Sequence, residues 1–334
     1  MSRRDRRSRA LLPVLLTGAL LLACSTPPDL APVREASRQP LQRLDRFQAA
    51  ISNGQTFIVG GTNGALLISV DAGHTWKRRT LSGSSSLIGL TRCADGSFVA
   101  LDFYHKIWVS RADVYDWREY PVPGSITPLA IHCDQLGRYW VVGTYTTILS
   151  SNNQGLNWTL ASLDRDAMLT TIQFLDAQHG VVTGEFGTVA TTADGGIHWK
   201  KLPGITRDFY PFSTYFIDLQ HGWTCGIAGA LLYTSDGGMT WVPHENPAGT
   251  SVYSLVPAGN NLYGIASNGR IILLNKDTWK LSNAAAVGIA DADAAALSND
   301  GQVIVVGGNK LQSVQLPTID AFTASRLNRG LADE

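Results

Sequence analysis

The side chains that first invite a chemical reading are carboxylates recurring at fixed places. Asp71, Asp194 and Asp236 each hold the same place before a tryptophan, Trp76, Trp199 and Trp241, and Asn153 holds the matching place before Trp158. Two carboxyl groups could cleave a glycosidic bond if they lay within about 10 Å of each other. These return once per repeat unit, so the units themselves hold them apart, and a structural role is expected. His179 and His221 suggest a metal pair. They stand equally far ahead of Trp199 and Trp241, in Gln178-His-Gly180 and Gln220-His-Gly222, so they are one turn position met twice. The chain has no C-x-x-C, no glycine-rich phosphate loop opening a helix and no G-x-S-x-G. No catalytic residue, metal ligand or cofactor is therefore assigned.

The cysteines are few. Cys93 and Cys133 stand almost equally far ahead of Trp117 and Trp158, near-equivalent places on adjacent units. An oxidising compartment permits a bridge, but such inner-strand places stand near the Cα separation limit of about 7 Å. The pairing stays open. Cys225 is expected as a buried thiol on a second strand. Trp140 and Trp223 share one register, equally far ahead of Trp158 and Trp241, and are read as core.

The elements that position these residues come from a repeat. Trp76, Trp117, Trp158, Trp199, Trp241 and Trp279 return at a nearly constant interval of about 40 residues, shortened slightly before the last. Gly61, Gly143, Gly184, Gly226 and Gly264 each stand at one fixed distance before one of them, and the second unit has Asp102 instead. Each unit reads as four short strands, in the fourth unit Thr171–Asp176, Gly180–Gly184, Thr188–Thr192 and His198–Leu202. Four-stranded units of about 40 residues are propeller blades. The turn before the tryptophan carries its own signature. Its copies are Ser69-Val-Asp71-Ala-Gly73-His-Thr75-Trp76, Thr192-Ala-Asp194-Gly-Gly196-Ile-His-Trp199 and Thr234-Ser-Asp236-Gly-Gly238-Met-Thr240-Trp241, with a weaker copy from Ser151 to Trp158. The Asp or Asn oxygen accepts N–H bonds across the turn, the glycine supplies positive φ, and the tryptophan closes the gap to the next blade. Ser110–Trp117 has Ala112 and Val114 at the key places, so that turn must be held differently.

This signature resembles the Asp-box of the bacterial neuraminidase repeat. The longer pattern, V-G-x-x-G, then a strand, then the Asp-box, resembles the photosystem II stability and assembly factor family over residues 41–316. The resemblance implies a seven-bladed, all-β propeller of four-stranded blades. Six blades carry a tryptophan. The seventh would take Val287–Ala290, Val303–Gly307 and Leu311–Leu316, closed by an N-terminal strand at Leu41–Leu44. The sialidase kit of an arginine triad, an R-I-P segment and a Tyr/Glu pair is not matched.

Residues 1–23 read as a lipoprotein signal peptide: an arginine-rich start, an apolar run from Ala10 to Ala23, then Cys24. The run is shorter than the roughly 20 residues a membrane-spanning helix needs. Cleavage would leave Cys24 lipidated at the head of an extended tether, residues 24–40, with residues 317–334 as a tail. Removing the five arginines and one aspartate of that segment leaves 22 basic against 26 acidic residues, net −4, which gives no reason to expect nucleic acid as a partner. The expected location is the bacterial envelope, at the outer membrane facing the periplasm.

In propellers the turns between second and third strands share a face with the inter-blade loops. That face would gather Tyr104, His105, Lys106, Tyr145, Glu185 and Phe186, with Arg165, Arg207, Phe209 and Tyr210 from the loops, a mixture of cation and aromatic suited to partner contact. The first reading is a non-enzymatic, monomeric protein that binds a polypeptide partner and assists a membrane complex: photosystem II, as the resemblance implies, in a photosynthetic organism, otherwise an envelope complex subunit. A glycan- or peptidoglycan-binding module is the second reading, and a divergent glycoside hydrolase the third. The anchor is tested by Cys24→Ala, which should move the protein to the soluble periplasmic fraction with its propeller folded; persistent membrane attachment would refute lipidation.

Overall fold

The computed structural model describes residues 29–111, 113–124, 126–258, 261–275, 281–298 and 302–316. The expected signal segment 1–23, Cys24, Trp279 and the tail 317–334 lie outside the described residues. The chain divides into a unit ending at Arg38 and a second unit from Gln39 onward. In the first, Ala31–Arg38 is a helix rather than an extended tether. Asp29 accepts the Ala31 N–H at 2.9 Å, and Pro32 falls in the first turn, where a missing N–H costs no helical bond.

The second unit is a seven-bladed propeller. Six sheets have four antiparallel strands in chain order, and the seventh has three among the described residues. The inner strands are Phe47–Ser52, Leu87–Arg92, Pro128–Cys133, Leu169–Phe174, Pro211–Phe216, Val252–Ala258 and Ala294–Leu297. Blade 4 runs from Leu169–Phe174 through Gly180–Gly184 and Thr188–Thr192 to Lys200–Lys201, close to the expected strands. The second strands of blades 1 to 5 are buried along their whole length, because both faces meet neighbouring blades.

The seam differs from expectation in two ways. Leu41–Leu44 forms no strand and does not complete blade 7. Asp45 folds these residues into a turn, accepting the Gln42 N–H at 2.7 Å, and Arg78 of blade 1 grips Asp45 through two 2.8 Å bonds. Among the described residues the ring is sealed instead by the Phe47 N–H to Gly308 O bond at 2.7 Å, by Asn309 Nδ2 to Arg43 O at 3.3 Å, and by packing of Phe57, Val59 and Leu67 against Ala294, Ala296, Ile304 and Val306. The inner strand of blade 7 is Ala294–Leu297, not Val287–Ala290. Val287 and Ile289 are buried in the connection from blade 6, and the inner strand's Ala294 and Ala296 pack against blade 1 and its Ala295 against blade 6.

Neighbouring blades are joined by packing and by specific polar bonds. Trp140 of blade 3 stacks on Phe174 of blade 4 at 4.4 Å. Arg138 bonds buried Asp134 at 2.6 Å and reaches blade 4 at Gly195 O and Ala177 O. Cys93 and Cys133 are disulfide-bonded with Cα atoms 5.1 Å apart, tying blades 2 and 3. Cys225 is a buried free thiol whose pKa burial pushes up to about 12. Trp140 and Trp223 are core residues, as expected.

The Asp-box turns hold themselves. Ser69 Oγ donates to Asp71 at 2.7 Å and accepts the Gly73 N–H at 2.9 Å, while Asp71 accepts the Thr75 N–H at 2.9 Å. Trp76 Nε1 then donates to Gly73 O at 3.0 Å. Ser151, Asn153, Gly155 and Trp158 repeat the pattern, as do Asp236, Gly238 and Trp241. Asp194 and Gly196 repeat its backbone part, with His198 in the threonine's place. In blade 2 Asp113 takes over, accepting the Tyr115 N–H at 2.9 Å, and Trp117 Nε1 bonds Val114 O.

Hydrogen bonds to Thr75 and His198 lower the carboxyls of Asp71 and Asp194 to about 2. A depressed folded-state pKa stabilises the fold above the ordinary carboxylate value and loses that effect as pH falls through the folded value. Acid unfolding should therefore steepen from about pH 4 to about pH 2. Asp71→Asn with Asp194→Asn should reduce the steepening while remaining folded, since Asn153 makes the same backbone bonds naturally; tryptophan fluorescence against pH checks it, and identical curves for both proteins would contradict it.

Candidate functional site

Backbone bonds between turns define the two faces. Gly195 N–H donates to Gln178 O at 2.8 Å and Gly237 N–H to Gln220 O at 2.9 Å, so Asp-box turns stand beside the first turns of their blades. On the opposite face Gly187 N–H donates to Phe209 O at 2.9 Å, and Thr146 N–H to Ala167 O at 2.7 Å. There the turns between second and third strands stand beside the inter-blade loops. His179 and His221 lie on the Asp-box face, each at 2.8 Å from an aspartate of its own turn, Asp176 and Asp218. Among the described residues no three His, Cys, Asp or Glu side chains converge as a metal would require.

On the loop face each turn between second and third strands in blades 1 to 5 has a residue in the left-handed region. Asn63, His105, Tyr145, Phe186 and Ala228 have φ of 56°, 58°, 58°, 57° and 58°. Such a backbone costs an L-residue about 1–2 kcal/mol, and the glycine that would relieve it is absent. What the position presents is a side chain at the tip: Tyr145 is 60% exposed and Phe186 47%. Tyr104, one residue before the tip of blade 2, is 53% exposed and meets Phe103 edge-on at 5.7 Å.

The blade 4 tip gathers most of the remaining candidates. Glu185 accepts the Met168 N–H at 3.2 Å, and Arg165 donates to Thr188 Oγ1 at 3.2 Å while staying exposed. Tyr210 is half-buried beside it, its phenol pushed up by burial and by Glu185. Arg207 is exposed and pairs with no carboxylate among the described residues. Two expected residues do not belong to this surface. Phe209 is only 4% exposed, its ring lying against Gly226, because the loop folds inward over the second strand of blade 5. Lys106 is held in blade 2, 3.5 Å from Glu119 and 3.9 Å from Asp102 and 5.0 Å above the Trp108 ring.

A second set of residues stands at the channel. In blade 4 Leu169 pairs with Gly184 and Thr171 with Thr183, so Thr170 is skipped. The same bulge frees Gln48, Ile88, Leu129, Phe212 and Tyr253 in blades 1, 2, 3, 5 and 6. All six line the central channel, a cavity of about 530 Å³. A bulge unpairs a residue and re-aims its side chain. The available signal was a column that returns every 40 to 42 residues while its side chains change from blade to blade.

Comparison with known proteins bears on the fold and the repeat. The family model Photosynthesis system II assembly factor YCF48 matches residues 109–203 and 155–245, from the third strand of blade 2 through blade 5. No curated protein sequence matches the chain. The solved structure of YCF48 bound to D1 peptide is 14% identical with a TM-score of 0.65, covering 83% of this chain and 95% of that one. YCF48 from Cyanidioschyzon merolae is 13% identical with a TM-score of 0.66, covering 83% and 97%. Virginiamycin B lyase from Staphylococcus aureus is 13% identical with a TM-score of 0.70, covering 85% and 97%. At these identities the solved structures share the fold, and the family match adds the photosystem II assembly factor-like character of the repeat.

The tips make a prediction of their own. Tyr145→Gly and Phe186→Gly should leave stability to urea unchanged or raise it by up to about 1 kcal/mol, because glycine relieves the left-handed backbone and little packing is lost. A fall of more than about 1 kcal/mol would show that the rings support the fold.

Proposed function

We propose that this propeller, of the photosystem II assembly factor-like kind, binds a polypeptide segment of an envelope membrane complex on its loop face and catalyses no reaction. The observation that carries the reading is the arc of Tyr104, Tyr145, Phe186, Tyr210 and Arg207, which has no ion pair among the described residues, over blades 2 to 5. Tyr145 and Phe186 are exposed at left-handed tips that a fold selected only for stability would give to glycine, Tyr104 is exposed beside such a tip, and Tyr210 is half-buried in the adjoining loop. Exposed aromatics with an arginine are the side-chain types that dominate interface energetics. The family match covers blades 3 to 5 of the same arc. A related fold carrying a D1 peptide supports a polypeptide as the kind of partner. The Asp-box carboxylates are committed to their own turns, which leaves the glycosidase reading without a paired acid and base.

Attachment through lipidated Cys24 would place this face in the periplasm, beside the membrane whose proteins it assists. The disulfide between blades 2 and 3 suits that oxidising compartment. Membrane solubilisation and cross-linking with the Cys24-anchored protein should capture one or a few membrane subunits. Arg207→Ala with Tyr210→Ala should reduce capture at least about tenfold, the scale of losing hot-spot side chains, with a melting temperature within a few degrees of wild type. Undiminished capture by the double variant would refute this face, and turnover of a glycoside would refute the absence of catalysis.

A further inference from the structure

The channel opens on the same face, and its walls are unequal. Blades 2 and 3 contribute Ile88 and Leu129 at the bulge position, and blades 5 and 6 contribute Phe212 and Tyr253. Those two rings are 4.8 Å apart, and Tyr210 lies 5.9 Å from Phe212, forming one aromatic wall. The next blade supplies Asp293, directly before its inner strand, and this is the single charged side chain among the described lining residues. Asp293 forms no ion pair among the described residues. Burial raises its pKa; exposed Arg46 acts the other way, and Asp291 adds to the rise. A carboxylate half withdrawn from water, offset only by exposed Arg46 and a bond from the Gly308 N–H, gains from a further cation brought to it. Adjacent aromatic faces attract the same cation.

We propose that the channel mouth is the binding site for a basic side chain, arginine or lysine, presented by the polypeptide that docks on the loop face. Asp293 takes the charge, the Phe212–Tyr253 wall takes the cation's flank, and Ile88 and Leu129 face the aliphatic stem. The bulges make this possible, since a regular ladder at these positions would pair the residues that now stand in the opening. Tyr210 belongs to both regions, to the arc beside Glu185 and to the channel wall, so a bound segment passes from one into the other. The proposal rests on the loop face being a polypeptide surface and adds the chemistry that surface selects.

The test uses the mature propeller with its anchor and fluorescein-labelled peptides Gly-Gly-X-Gly-Gly, where X is arginine, lysine, citrulline or glutamate, read by fluorescence anisotropy. Citrulline keeps the shape of arginine without its charge. Arginine and lysine peptides should bind at least about tenfold more tightly than citrulline, and glutamate should not bind. Asp293→Asn should reduce the preference to within about threefold with an unchanged melting temperature, and Tyr253→Leu should weaken the arginine peptide. Equal affinity for arginine and citrulline, a preference that survives Asp293→Asn, or no saturable binding of the arginine peptide at millimolar concentration would each overturn the proposal. Capture from membranes separates the two readings. If Asp293→Asn captures as wild type does while the Arg207 and Tyr210 double variant fails, the channel site falls and the loop face stands. If both variants capture normally, both fall.

Discussion

The structure depends on how closely each blade lets the chain enter. At the end of a second strand, a Cβ on Gly61, Gly143, Gly184 or Gly226 would stand 2.1–2.3 Å from the carbonyl oxygen of the residue before the inner strand, Arg46, Thr127, Met168 or Tyr210. Only glycine admits that approach. The incoming chain is thereby pinned at one pair, such as Leu169 with Gly184, and pairing resumes only after one residue is skipped. The skipped residue is the bulge, and it faces the channel. One steric requirement thus repeats along the chain and gives most blades an unpaired side chain at the axis. Because the bulged residue supports no ladder bond, its identity is unconstrained by the sheet. Gln48, Ile88, Leu129, Thr170, Phe212 and Tyr253 accordingly share nothing but their position.

Blade 2 shows that the requirement is a satisfied entrance rather than a glycine as such. Asp102 occupies the glycine position, fully buried, and its carboxylate accepts the Ser86 N–H, the Tyr104 N–H and Trp108 Nε1 at 3.0–3.1 Å. Leu87 still pairs with Asp102 and Ile88 is still skipped. A buried carboxylate is tolerable only when bonded in this way, and these donors are otherwise the orphans of the entrance. The same bonds shape the Phe103–Tyr104 turn, so the irregular unit of the repeat is also where the loop face gains an exposed tyrosine.

Periodic features were legible in the sequence, and departures from the period were not. The tryptophan spacing and the Asp-box residues carried the blade number and the turn chemistry, because those contacts are local and recur. Leu41–Leu44 misled because an apolar pair with polar residues between looks like an outer strand, while the decisive interaction joins Asp45 to Arg78, far along the chain in blade 1. Val287–Ala290 misled because β-branched residues signal a strand, whereas Val287 and Ile289 are buried in the connection and the inner strand is the alanine run packed between blades 6 and 1. Gly264 was placed in the glycine column by its distance to Trp279. The residue opposite the start of the blade 6 inner strand is Ala266. A shortened turn had shifted the count. In the candidate surface, residue types were legible but burial was not: Phe209 and Tyr210 are neighbours in sequence, and the fold sends one into the core and the other to the surface.

The two faces then divide their labour for an energetic reason. On the Asp-box face the aspartates, serines and threonines of the turns bond one another and the local N–H groups, so little is left over for a partner. On the loop face backbone bonds fix the turns, Gly187 with Phe209 and Thr146 with Ala167, and the side chains at the tips are not consumed in holding them. A left-handed tip projects its residue away from the blade, and a bulge projects its residue into the channel. Both positions sit at the same end of the blade, on either side of the inter-blade loop that carries Arg207 and Tyr210. In blades 1 to 5 the rigid part of the blade therefore delivers two variable side chains to one surface, one to the floor and one to the rim. A surface assembled that way can change its specificity without touching the contacts that hold the ring closed.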